Sequence, residues 1–145
     1  MSAVVLVSAQ TEWLVVCEYF PGADLSTSPY GAWFEQALPP DEQPVIFFHG
    51  GWGKVAAAGS TQYAIDRWSP DLLVNLGTCG GIAGRIQQGT IFLAERTLIY
   101  DIVEQMGDPD AALAHYATEL DLSWLEKPLP QPVVRGRLLS ADRDL

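Results

Sequence analysis

Histidine, cysteine and basic residues are scarce in this chain. Its 145 residues include two histidines, two cysteines, and eight lysines and arginines against 18 aspartates and glutamates. Nucleic acids and anionic membranes need clustered positive charge, so a net charge of −10 predicts no partner of either kind. Cys17 and Cys79 are too few for a disulfide framework, and with His49 and His115 they form no metal-ligand spacing. We therefore expect no metal site.

An apolar run long enough to span a membrane is also missing. Residues 3–8 form an apolar run, but no basic residues precede it and it is far shorter than the ~20 residues of a spanning helix. No targeting segment is visible, which favours a cytoplasmic location. With 48% apolar and 18% charged residues, the composition is that of a globular chain, and 145 residues suit one domain.

Strand and helix patterns alternate in the first half of the chain. Short apolar runs predict buried strands at residues 3–8, 44–49 and 71–76. Helices are predicted at residues 11–20, with Thr11 as the N-cap, and at residues 54–68. The prolines and glycine of residues 23–43 predict mostly loop, with a short helix or strand at residues 33–38. This order predicts an α/β fold with a largely parallel sheet.

The second half of the chain is less regular. Residues 89–94 and 96–102 predict two extended segments, and residues 107–124 predict a loop and then a helix from about Pro109. Three prolines within residues 128–132 predict a linker before a strand at residues 133–140.

Three predicted strands end at small or polar residues, namely Ser8-Ala9, His49-Gly50-Gly51 and residues 77–81. In sheets of this kind, ligands bind at the carboxyl ends of the strands, so the three ends together predict a binding site. His49 is interpreted as a packed residue at a strand end.

Gly77-Thr78-Cys79-Gly80-Gly81 fits G-x-C-x-G, the cysteine form of a nucleophile elbow. An elbow needs a helix directly after it, but only four residues separate Gly84 from Gly89. No histidine lies in a pattern that would supply the base. We therefore interpret Cys79 as a small buried residue. The turn is either a site where backbone amides approach a ligand or a purely structural turn.

Gly51-Trp52-Gly53-Lys54 has parts of two nucleotide-binding motifs and completes neither. Val55 stands where a phosphate loop needs serine or threonine, and the glycine spacing is not that of a dinucleotide fold. No cofactor is predicted.

Five short pieces of sequence nevertheless occur in a recognisable order. They are GWGKVAAA, Pro70-Asp71, NLGTCGG, Gly89-Thr90-Ile91 and Tyr100-Asp101, and a more distant one is GRLLSAD at residues 136–142. In this order they resemble the nucleoside phosphorylase/nucleosidase superfamily, and most closely its methylthioadenosine/S-adenosylhomocysteine nucleosidases. The resemblance covers roughly two thirds of the chain. It implies a three-layer fold with a mostly parallel or mixed central sheet flanked by helices, a nucleoside substrate and a homodimer.

The resemblance also implies a reaction, cleavage of an N-ribosidic bond. Phosphorylases of this family hold phosphate with an arginine in an R-x-G-S/T pattern, where this chain has Asn75-Leu76-Gly77-Thr78. We therefore expect hydrolysis of a purine nucleoside or 5′-thio-nucleoside, with phosphorolysis as an alternative.

Glu12 is the catalytic residue that the resemblance implies, as the group that orients the water. The family's glutamate falls four residues after its alanine, whereas Glu12 falls three after Ala9, so the two differ in register by one residue. The alternative role of Glu12 is that of an acid favoured at a helix N-terminus. Expected substrate-binding residues are Ala9, Gly51, Asn75, Thr78 and Gly80.

Segments that follow the S-G-D motif in this family have no match here, and among them is the aspartate that protonates the purine. We therefore expect the chain to be the amino-terminal portion of the family's domain and to lack its general acid. The other hypothesis is a non-catalytic nucleoside-binding or dimer-forming domain.

Overall fold

The computed structural model describes residues 2–40, 42–102, 106–125 and 128–141. They form two compact units, Met1–Cys79 and Gly80–Leu145. The expectation of one nucleoside phosphorylase-like domain over residues 1–145 stays a prediction. No helix in the described ranges is both long enough and apolar enough to cross a membrane.

The first unit is a mixed sheet with two helices. Its elements are β1 (Ala3–Val7), α1 (Gln10–Tyr19), β2 (Ser26–Thr27), β3 (Ala32–Leu38), β4 (Gln43–His49), α2 (Lys54–Trp68) and β5 (Leu72–Asn75). The strand order is β2-β3-β4-β1-β5. β1 runs parallel to β4 and β5, whereas β3 is antiparallel to β2 and β4. The predicted α/β fold with a mostly parallel or mixed sheet is confirmed.

The two helices of this unit pack on opposite faces of the sheet. Because successive strand residues point to opposite faces, Val4 and Leu6 of β1 join Ala64 of α2, whereas Val7 joins Trp13 of α1. Trp13, Val16, Cys17 and Phe20 of α1 all pack on the cluster around Val7, as the helical pattern predicts. The result is a helix–sheet–helix arrangement in three layers, in which α1 leaves the end of β1 directly.

One local prediction in the first unit is confirmed and another is wrong. The strand alternative at residues 33–38 is confirmed, because residues 32–38 form a strand in which Trp33 to Leu38 pair with β4 and Phe34 lies in the core. Pro39 and Pro40 lie after this strand and do not interrupt it. The N-cap of α1 is Ala9, and Thr11 lies inside the helix. Only Ser8 and Ala9 lie between the end of β1 and the start of α1, so the helix begins two residues earlier than an N-cap at Thr11 would allow.

The second unit contains β6 (Phe92–Ile99), α3 (Pro109–His115), β7 (Ala117–Glu119) and β8 (Val134–Ser140). β6 lies between β7, which is antiparallel to it, and β8, which is parallel. The two extended segments predicted at residues 89–102 are a single strand with a register shift between Ala94 and Arg96. The helix begins at Pro109 as predicted, with Asp108 as its N-cap.

Candidate functional site

The carboxyl ends of three adjacent strands of the first unit form the candidate site. The Gly50 amide, just after β4, donates to the Val7 carbonyl of β1 at 3.0 Å. On the other side of β1, the Leu76 amide, just after β5, donates to the Leu6 carbonyl at 2.9 Å. The segments that continue from these strands therefore start side by side at one edge of the sheet, and the predicted convergence of the strand ends is confirmed.

Glu12 and Thr78 meet at this edge although 66 residues separate them. The Thr78 amide and the Thr78 hydroxyl each donate a 2.6 Å hydrogen bond to Oε1 of Glu12. The Ala9 amide donates a longer bond, 3.4 Å, to Oε2. Glu12 lies in the first turn of α1, so the helix start aims its carboxylate at the glycine turn after β5.

Gly77 allows this close approach. A Cβ atom at position 77 would lie 3.0 Å from Oε2 and 3.2 Å from Oε1 of Glu12, tighter than ordinary van der Waals contact. Sequence reasoning did not give Gly77 a role, although its place in the N-x-G-S/T segment was a visible signal. The glycine leaves room for the carboxylate to lie against the turn.

The hydrogen bonds of Glu12 favour its ionised form. Burial raises the pKa of Glu12, but the bonds from the Thr78 hydroxyl, the Thr78 amide and the Ala9 amide outweigh that effect. The net result is a pKa below the ordinary value for glutamate. Hydrogen-bond donors lower the pKa of a carboxyl group because they stabilise its ionised form more than its neutral form. Glu12 is therefore an anion at neutral pH.

Replacing Thr78 with valine is expected to raise the pKa of Glu12, because the hydroxyl donor is lost while the side-chain size is kept. A depressed pKa contributes stability above the unfolded-state pKa, and this stability is lost as the pH falls through the folded-state pKa. In T78V the contribution is therefore smaller, and its loss on acidification is complete at a higher pH. NMR titration of the Glu12 carboxyl carbon measures the change.

The matched control is Thr11→Val, which removes a hydroxyl from an exposed residue adjacent to Glu12 on α1. It is expected to leave the pKa of Glu12 unchanged. An identical titration of Glu12 in T78V and in the unchanged protein would contradict the role of the hydroxyl.

Gly51, Asn75 and Gly80, three of the expected substrate-binding residues, have different surroundings. Gly51 has no room for a side chain, because a Cβ there would overlap the Ala56 side chain of α2. Asn75 is the last residue of β5 and pairs with Leu6. Gly80 is exposed, and a Cβ there would meet nothing within 4 Å. Contact of these residues, or of Ala9, with a ligand stays a prediction.

His49 stacks on Trp13, with 5.4 Å between the ring centroids and 7° between the ring planes. Trp13 is buried and directly follows Glu12 in α1. The interpretation of His49 as a packed strand-end residue is confirmed, and its ring supports the helix turn that carries Glu12.

The interpretation of Cys79 as a buried residue is wrong, because its side chain is exposed. The reason is the course of the chain after β5, where residues 76–85 are all exposed and none is helical. A nucleophile elbow, which would present the cysteine from the start of a helix, is therefore not formed. Within the described part of the chain, no group of three or more His, Cys, Asp or Glu side chains could hold a metal ion.

Comparison with known proteins gives related sequences that are longer than this chain. A 5′-methylthioadenosine/S-adenosylhomocysteine nucleosidase from Haemophilus influenzae is 30% identical over 107 residues, which cover 68% of this chain and 47% of that protein. One from Oceanobacillus iheyensis is 34% identical over 61 residues, covering 42% and 27%. The chain thus spans less than half the length of these two relatives.

Solved structures show the same fold. The nucleosidase from Neisseria meningitidis in complex with methylthio-immucillin-A matches with a TM-score of 0.76 and 19% identity, over 98% of this chain and 65% of that one. The nucleosidase from Colwellia psychrerythraea in complex with adenine matches with a TM-score of 0.72 and 22% identity, over 100% and 63%. The family profile of the phosphorylase superfamily matches residues 10–143, nearly the whole sequence. The chain belongs to the phosphorylase superfamily.

Proposed function

We propose that this chain carries the part of a nucleosidase site that orients the water. The reaction of the complete site is hydrolysis of the N-ribosidic bond of a purine nucleoside or 5′-thio-nucleoside. The observation that carries the proposal is the ionised Glu12 carboxylate, held by Thr78 at the edge of the sheet where the three strand ends converge. The relatives with related sequences are named as nucleosidases, which supports the same chemistry here.

The two oxygens of Glu12 suit different tasks. Oε1 accepts both short bonds from Thr78, whereas the bond to Oε2 from Ala9 is long. Oε2 therefore retains the capacity to accept a hydrogen bond from a water molecule. In the proposed reaction that water forms a bond to the anomeric carbon of the ribose while the bond to the base nitrogen breaks. One water proton passes to Glu12, and the departing base takes up a proton from an acid.

The low pKa of Glu12 defines its contribution. A carboxylate of low pKa is a weak base, so it suits a reaction in which the sugar is already strongly electrophilic when water attacks. Its negative charge also favours the positive charge that develops on the ribose in an oxocarbenium-like transition state. Orientation of the water and electrostatic stabilisation are therefore the roles proposed for Glu12.

Two solved relatives support a 5′-thio purine nucleoside as the substrate. The Neisseria meningitidis nucleosidase is in complex with methylthio-immucillin-A, and the Colwellia psychrerythraea nucleosidase with adenine. We extend this ligand class to the present chain as part of the proposal, together with the homodimer that the family resemblance implies.

Base release by this protein is expected to be independent of phosphate. Asn75 carries no charge and cannot form the bidentate grip that arginine gives phosphate. Methylthioadenosine, S-adenosylhomocysteine, inosine and AMP are incubated separately with the protein, with and without phosphate, and the free base is followed by chromatography. Because the chain is expected to lack the general acid, release of adenine from the first two is expected to be slow, and its rate is expected to be the same in both conditions.

Base release that requires phosphate would contradict hydrolysis and favour the phosphorylase alternative. Binding of the nucleosides with no release under either condition would favour the non-catalytic nucleoside-binding domain.

A further inference from the structure

Trp52 is an exposed tryptophan beside the candidate site. It lies in the turn between β4 and α2, and 88% of its surface is exposed. Trp13, Trp33 and Trp68 of the same unit all pack against other aromatic rings. Among the described residues, no aromatic ring or cation packs on Trp52 in this way. Its indole faces therefore remain open.

The glycines around Trp52 hold the turn in one shape. A Cβ at Gly50 would lie 2.7 Å from the Ser60 hydroxyl oxygen, and one at Gly51 would overlap Ala56. Gly53 adopts φ +87°, a conformation that disfavours other residues. Within Gly50–Gly53, position 52 is thus the one that accepts a large side chain. It carries tryptophan, the largest of the amino-acid side chains.

The turn lies at the same sheet edge as the Glu12 carboxylate. Gly50 is bonded to Val7 at the end of β1, and Glu12 follows that strand within five residues. β4 and β1 are neighbouring parallel strands, so the segments after them leave the sheet next to each other. An open indole at this edge is placed to contact a ligand bound over the strand ends.

We propose that Trp52 is a specificity-determining residue that stacks on a planar aromatic ring of the ligand, either the purine base or an aromatic 5′ substituent. The inference rests on the proposed function, because it assumes that a nucleoside binds at this edge. An indole offers a wide flat face at little cost in side-chain entropy, and every purine has a complementary π-face.

The test is equilibrium binding by calorimetry to ligands that are not hydrolysed. The probes are adenine, the 5′-methylthio and 5′-phenylthio derivatives of the C-nucleoside formycin, whose base is attached by a carbon–carbon bond, and ring-free methylthioribose. Trp52→Leu keeps an apolar side chain without a π-face, and Trp52→Phe restores a smaller ring. Trp124→Leu, which removes a partly exposed tryptophan of the second unit, is the matched control.

Trp52→Leu is expected to weaken binding of at least one ring-bearing probe about 10- to 100-fold, the usual effect of losing one base–aromatic stack. Trp52→Phe recovers most of the affinity, and Trp124→Leu binds every probe as the unchanged protein does. Methylthioribose binds all four proteins equally. Equal weakening of adenine and both formycins identifies the base as the stacked ring. Selective weakening of the phenylthio derivative identifies the 5′ substituent.

Three binding results would overturn the proposal, and a fourth result would come from sedimentation. They are no binding of any ring-bearing probe by the unchanged protein, unchanged affinity of all of them in Trp52→Leu, and equal weakening of methylthioribose. A change confined to the sedimentation of Trp52→Leu would likewise overturn it, because the indole then serves contact between copies of the chain. Failure of hydrolysis with ring binding intact overturns only the proposed function.

Discussion

Glu12→Gln is expected to lower the rate of base release by about 10²- to 10⁴-fold, the usual contribution of a positioned acid or base. Glutamine keeps an oxygen that accepts the bonds from the Thr78 amide and hydroxyl, so the turn after β5 retains its shape. What the substitution removes is the negative charge, and with it the proton acceptor for water and the stabilisation of the ribosyl cation. Release of adenine from methylthioadenosine measures the effect.

Glu18→Gln is the matched control, since Glu18 is exposed further along the same helix. It is expected to leave the rate unchanged, and the affinity of E12Q for adenine is expected to remain close to that of the unchanged protein. If Glu12 were only a favourable acid at a helix N-terminus, E12Q would cost about 0.3–1 kcal/mol of stability and leave the chemistry intact. That outcome would contradict the catalytic role proposed for Glu12.

Phe34→Ala is expected to lower the free energy of unfolding by about 3–5 kcal/mol, the usual cost of truncating a buried aromatic residue. Phe34 is 0% exposed. Its ring centroid lies 5.1 Å from that of Phe47, 5.6 Å from Trp13 and 5.7 Å from Phe20. The cavity would open where α1 packs on the sheet, so the helix that carries Glu12 loses its main support. Urea unfolding followed by circular dichroism measures the loss.

The control for this prediction is Tyr19→Ala, which removes an aromatic ring from α1 that is 80% exposed. Its effect is expected to stay within about 0.5 kcal/mol, as for most surface substitutions. Equal destabilisation by the two substitutions would contradict the core position of Phe34.

Much of the site could be predicted because its parts are local patterns. The apolar runs at β1, β4 and β5 are strands, with β4 and β5 parallel to β1, and α2 has the predicted bounds Lys54–Trp68. Ser69 and Pro70 end that helix by local backbone chemistry. The convergence of three strand ends follows from the rule that parallel neighbours end at one edge.

Other features of the fold could not be predicted from local sequence patterns. The sequence left residues 33–38 open between a short helix and a strand, and the pairing with β4 decides for the strand. Cys79 is exposed although free cysteine is usually buried, because residues 76–85 after β5 are all exposed and belong to no helix or strand. Propensity describes a residue by itself, whereas pairing and burial depend on distant segments.

The sequence by itself determined the α/β order, the strands of the parallel core, the bounds of α2 and the family motifs that single out Glu12 and Thr78. Only the tertiary structure decided that Thr78 donates two short hydrogen bonds to Glu12, that Gly77 leaves room for the carboxylate, and that the pKa of Glu12 is lowered. The physical reason is the sequence distance over which each interaction acts. A hydrophobic pattern acts within one element, but a hydrogen bond across 66 residues exists only once β1 and β5 pair and bring their ends together.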